Sequence, residues 1–199
     1  MQQLSLLATC LVAAAALVCS PPAPAQEFNP QKLIAAETQA LSKLAMLDGE
    51  WRGPASMTAP DGTVHKFTQT ERIGPLLDGS IRLIEGRSYD DAGKTVFNAF
   101  AVLSFDPATQ SYTMHSHAQG RVGDFKFVPT ADGYHWEIPA GPVTIRYTAT
   151  IQGTHFHEIG ERIMPGHAAV KIFDMQLTRV GDSPWPGANP VSPRQVVLP

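Results

Sequence analysis

The chain has 199 residues, a formal net charge of −3 and only 17% charged residues, and this mildly acidic balance argues against nucleic-acid binding, which usually needs a basic stripe. Its only two cysteines, Cys10 and Cys19, fall in the first 25 residues, so nothing after them can form a disulfide, hold a metal through thiolate or act as a cysteine nucleophile.

Leu4 to Val18 is an almost continuous apolar run, too short to cross a bilayer. Pro21-Pro22 and then Ala23-Pro24-Ala25 follow, a small-x-small pattern suited to signal peptidase. We expect residues 1–25 to be a signal peptide and the remainder to be periplasmic or secreted, in a Gram-negative type of envelope. Cys19 offers an alternative as a lipoprotein anchor, although Val18 is a poor residue to precede one. Because the leader carries no charged side chain, the whole net charge belongs to the exported part. Without disulfides, that part depends on its core for stability.

Asn29-Pro30 predicts a helix start, with asparagine as N-cap and proline in the first turn. Leu33, Ile34, Leu41, Leu44 and Leu47 recur at helical spacing, and Gly49 supplies a stop. One helix from Pro30 to Leu47 is therefore expected, its apolar stripe covering the mouth of the next unit. From Glu50 the pattern changes. Turn sequences at Pro60-Asp61-Gly62, Asp78-Gly79, Asp90 to Gly93, Asp106-Pro107, Gly120 to Gly123, Asp132-Gly133, Gly141-Pro142, Gln152-Gly153 and Pro165-Gly166 divide the chain into about ten short segments. Such spacing predicts an all-β fold, an antiparallel up-and-down barrel of about ten strands over residues 26–180. Pro184, Pro186, Pro190, Pro193 and Pro199 mark residues 181–199 as an extended or disordered tail.

Alternation gives faces to several strands. Val143, Ile145, Tyr147, Ala149 and Ile151 share one side, and Arg146 falls on the other. Phe173, Met175 and Leu177 share a face on which Arg179 also falls. Trp51 in the first strand is its expected partner, indole against guanidinium, where the first and last strands meet and remove both sheet edges.

Leu47-Asp48-Gly49-Glu50-Trp51 after a short helix, Phe105-Asp106-Pro107 at a turn and Thr178-Arg179 in the last strand resemble the calycin group, the lipocalins and fatty-acid-binding proteins with their bacterial relatives. The layout over residues 45–180 is most similar to an uncharacterised bacterial family of that group. The resemblance implies a barrel and leaves its ligand open. Some barrels of similar shape bind haem through a histidine near the C-terminal strands, which makes haem an alternative cofactor.

No nucleophile elbow, Ser-x-x-Lys element or phosphate loop is present. Glu71, Glu85, Glu158 and Glu161 offer carboxylates whose pairing spacing alone does not give. The leading expectation is a non-enzymatic barrel that binds a small, largely apolar molecule and needs no cofactor. Trp51, Phe100, Phe125 and Tyr147 are candidate wall residues, with Arg146 as an inward anion-selecting group should that strand turn the other way. Metal or haem dependence through strand histidines is the alternative: His155, His157 and Glu161 share parity, and His115 and His117 form a second pair, able to hold zinc if further ligands join them. A third possibility is an envelope accessory protein with a filled barrel and a protein partner.

Overall fold

The computed structural model describes residues 29–183. The expected leader with its cysteines, and residues 184–199 of the expected tail, lie outside the described residues. Helix α1 spans Pro30–Ser42 and starts as expected, the Asn29 side chain accepting from the Lys32 backbone N–H at 3.1 Å. Ten strands follow: β1 Gly49–Thr58, β2 Val64–Leu76, β3 Ile81–Tyr89, β4 Thr95–Asp106, β5 Ser111–Ala118, β6 Arg121–Pro129, β7 Gly133–Ala140, β8 Val143–Gln152, β9 His155–Ile163 and β10 Val170–Gly181. Each pairs antiparallel with its neighbours in the chain, and β10 returns to β1, closing an up-and-down barrel.

The helix is shorter than its periodicity suggests. It ends at Ser42, and a separate 3-10 turn, Ala45–Leu47, replaces the last predicted turn. The break sits at Leu44, whose φ of −101° and ψ of 12° leave the helical region. Re-aiming the chain there lets Leu41, Leu44 and Leu47 all point into the barrel end, where each is fully buried. Leu33 and Ile34 lie on the part of the stripe that does not reach the barrel and remain exposed. The plug is thus the C-terminal end of α1 and the turn after it. It covers the end where β2–β3, β4–β5, β6–β7 and β8–β9 connect, and the opposite end is a mouth framed by the other five hairpins.

The seam has the expected register, with Trp51 opposite Arg179. The side chains make different contacts from the expected stack. The indole N–H donates to the Leu47 carbonyl at 2.8 Å, and the ring meets Phe156 edge-on at 5.5 Å. The Arg179 guanidinium donates to the Asp48 carbonyl at 3.3 Å and to Asp182 at 2.7 Å. Gly49, at φ 140°, is required here, because a Cβ on it would stand 2.7 Å from Arg179 Nε.

A second arginine, not singled out in the sequence, ties the plug to the wall. Arg82 on β3 is buried and binds Asp48 bidentately, Nε to Oδ1 at 2.7 Å and Nη2 to Oδ2 at 2.8 Å. Its Nη1 donates to the Leu41 carbonyl at the helix end, which also accepts from the Leu44 backbone N–H at 3.0 Å. Tyr112 Oη donates to the neighbouring Ala40 carbonyl at 2.9 Å. Removing the guanidinium takes both hydrogen bonds from the Asp48 carboxylate and one of two donors from the Leu41 carbonyl. Arg82→Met, which keeps much of the stem, is expected to lower the unfolding free energy by about 3 kcal/mol in urea denaturation. A loss below about 1 kcal/mol would mean that the plug is held by its leucines alone.

Candidate ligand-binding site

Closing the sheet sorts side chains by parity, one set into the lumen and the other to the outer wall. The inward set stacks in three layers from the plug to the mouth. The first is apolar: Trp51, Ile73, Phe127 and Phe156 lie against the leucines of the plug and are buried.

The second layer is polar. Gln69 and Glu71 on β2, Ser88 on β3, Tyr134 on β7 and Glu158 on β9 face one another across the lumen. Ser88 Oγ donates to Gln69 Oε1 at 2.5 Å, and Gln69 Nε2 donates to Glu71 Oε1 at 2.7 Å. The serine therefore fixes which way the amide points, and the amide fixes the carboxyl. On the opposite side, Tyr134 Oη donates to Glu158 Oε2 at 2.5 Å. Glu158 is buried and Glu71 half-buried. Gly86 makes room for Glu71, since a Cβ there would stand 2.9 Å from Oε1.

Burial dominates the ionisation of this layer. Desolvation pushes Glu71 up to about 8, against the Gln69 hydrogen bond and reinforced by the charge of Glu158. Desolvation raises Glu158 to about 7, opposed by the Tyr134 hydrogen bond. The Tyr134 phenol is pushed far above its ordinary value by burial and by Glu158, and Tyr147 is pushed up to about 12 by the same two causes. Because the carboxyls interact, they titrate as a pair.

The third layer is an aromatic belt below the mouth. Phe125 on β6 meets Trp136 on β7 at 5.3 Å, and Trp136 stacks on Tyr147 of β8 at 4.6 Å with 10° between planes. Tyr147 meets Phe173 of β10 at 5.8 Å, and Phe173 meets Phe67 of β2 at 6.5 Å. All five rings are half-buried. Two inward glycines let rings lie along the wall: a Cβ on Gly160 would stand 2.8 Å from the Tyr147 ring, and one on Gly123 2.7 Å from Phe125.

Of the residues expected at the site, Trp51, Phe125 and Tyr147 face the lumen, Trp51 within the closed apolar layer. Arg146 and Phe100 do not. Arg146 lies on the outer wall, as the alternation of β8 requires, and its Nε donates to Glu137 at 2.7 Å. Phe100 pairs with Glu85 and His117 on the outside of β3 and β5, because β4 points Ala99 and Ala101 inward instead. The histidine pairs are external too. His115 Nδ1 bonds Asp124 at 2.5 Å, and His157 Nε2 bonds Asp174 at 3.0 Å. Glu161 stands in register between Arg146 and Lys171. Among the described residues no group of three or more His, Cys, Asp or Glu side chains is placed to hold a metal ion. A depression of about 860 Å³ on the outside of β1–β3 is lined by Arg52, Arg72, Glu85 and Arg87, with Arg72 paired to Glu50 and Arg87 to Glu85.

Glu158 and Trp136 were not expected at the site, but β9 and β7 contain the signal. If His155 and His157 face water, then Phe156 and Glu158 must face inward. Glu71 follows by the same parity from Ile73.

No protein-family model matches the sequence, and a comparison with curated proteins finds no match. Among solved structures, the crystal structure of Rv2717c from M. tuberculosis is similar, with a TM-score of 0.54 and 14% identity, over 71% of this chain and 97% of that one. At that identity the similarity supports the barrel fold alone.

The raised carboxyls link stability to pH. A group whose folded value exceeds its unfolded value of 4.5 favours the fold while protonated, and that contribution is lost as pH rises towards about 8. Asp61, Asp106 and Asp174, held below their ordinary value by hydrogen bonds, act in the opposite sense, but only below about pH 4. The melting temperature is therefore expected to fall between about pH 5 and 8, and Glu71→Gln with Glu158→Gln to flatten that slope in a calorimetric pH series. An unchanged slope in the double variant would assign the dependence elsewhere.

Proposed function

We propose that this protein is an exported, non-enzymatic binding protein that holds a small, largely apolar molecule in the barrel through the mouth opposite the helix. The observation that carries this reading is the belt of five half-buried rings facing the lumen. A protein that used the barrel only as a core would gain more by burying those rings completely. Instead they stay half-buried, two of them backed by inward glycines, the kind of apolar wall with a few fixed polar groups that ligand sites present. Export rests on the apolar leader and its Ala23-Pro24-Ala25 end. Kinship with calycins, inferred from Leu47 to Trp51 and from Arg179, fits the same use of the fold. A metal- or haem-based role draws less support, since both His-x-His pairs lie on the outer wall.

Native mass spectrometry of the mature protein expressed in a Gram-negative periplasm is expected to show a co-purified organic molecule of low mass. By titration calorimetry with octanol, Trp136→Ala should weaken binding about tenfold, the worth of one stacked ring, while Arg146→Ala on the outer wall should leave it unchanged. Equal affinity in wild type and Trp136→Ala would remove the belt from the site.

A further inference from the structure

The polar layer has no use in a purely apolar container. Two carboxyl groups at the base of the lumen lose hydration, and neither is matched by a basic side chain of its own layer. The groups facing them are uncharged on most strands: Met175 and Phe173 on β10, Ala55 on β1, Gly86 and Ser88 on β3, Ala101 on β4, Ser116 on β5 and Phe125 on β6. Tyr134 and Tyr147 face them from β7 and β8, and neither ionises near neutral pH. The inward arginines Arg82 and Arg179 belong to the closed end, where each bonds to Asp48.

Each carboxyl is held from its own side through one oxygen, Glu71 by Gln69 and Glu158 by Tyr134, so each keeps acceptor capacity for a further donor. A second and independent observation lies nearer the mouth. Arg162 shares the inward parity of Glu158 on β9, and its Nε is buried with no hydrogen-bond partner among the described residues. The wall therefore presents acceptors at the base and an unsatisfied donor above them, with the aromatic belt between. Buried polar groups are rarely left so, which points to a guest that brings polar atoms of its own.

We propose that the base of the barrel receives a nitrogen-bearing group, an amine that donates hydrogen bonds to Glu71 and Glu158, on a molecule whose apolar body lies against the aromatic belt. The inference rests on the binding role proposed above and names the chemistry of the ligand. An ammonium at the base meets two carboxyls and the faces of electron-rich rings, both of which attract a cation. A carboxylate at the same place meets two carboxyl groups and no cation of that layer. Arg162 keeps a competing cation from resting at the mouth and leaves a donor for an acceptor on the outer part of the guest.

The test is titration calorimetry with three probes that share one tail: octylamine, octanol and octanoate. At pH 8, octylamine is expected to bind at least tenfold more tightly than octanol, and octanoate more weakly than either. Glu158→Gln and Glu71→Gln each preserve shape and hydrogen bonding, and each should cost octylamine at least tenfold while leaving octanol within twofold. Octanol retained by a variant also certifies that it is folded. If octanol or octanoate binds as well as octylamine, or if both glutamine variants keep full affinity for the amine, the amine site is overturned while the binding role stands. If none of the three binds to folded wild-type protein, both readings fall.

Discussion

Parity in a closed ring is the constraint on which the rest of this structure depends. Once β10 returns to β1, no strand can slip by a residue without turning its inward set outward, and its two neighbours then hold it in place. The chain exploits this by giving each layer of the lumen a different chemistry. On β9 the inward residues run from Phe156 through Glu158 and Gly160 to Arg162, and on β2 from Ile73 through Glu71 and Gln69 to Phe67. Apolar, polar and aromatic layers thus follow from one register. A local change at the seam would be felt in all of them.

The plug explains why the polar layer lies where it does. Leu41, Leu44 and Leu47, with Trp51, fill one end of the barrel and are fully buried there. The carboxyls of the next layer lose most of their hydration, and this is the first cause of their raised values. Arg82 and Asp48 make the seal firm by joining the helix end to β3. Had the seal been looser, Glu71 and Glu158 would sit in water as ordinary surface carboxylates.

Much of this was legible in the sequence because it follows from alternation and turn chemistry. The ten strands and the Trp51–Arg179 register are properties of period and spacing. What escaped was long-range or violated a local expectation. Arg82 and Asp48 are joined across two strands and a helix end, so no spacing announces them. A glutamate within a strand reads as a solvent residue, since burying one without a cation is unfavourable in any generic fold. Phe100 erred in the opposite direction: an aromatic residue reads as core, yet small Ala99 and Ala101 take the inward positions of β4. The helix was overextended because leucine period alone cannot show that the stripe changes direction at Leu44.

The cost of the polar layer is itself an argument about purpose. Replacing buried charged or acidic groups with well-packed apolar side chains of similar volume is often neutral or stabilising. A barrel selected only to fold would therefore carry leucine or methionine at 71 and 158, continuing the apolar layer beneath them. Serine, glutamine and tyrosine have instead been placed to orient each carboxyl, which adds further polar groups to a region that loses water. Proteins keep such locally unfavourable arrangements where a site needs them. The same reasoning applies to the glycines behind Glu71, Tyr147 and Phe125, which give up packing so that a carboxyl and two rings can lie against the wall. Taken together, the interior departs from an optimal core in several independent ways, and the proposed guest would account for them.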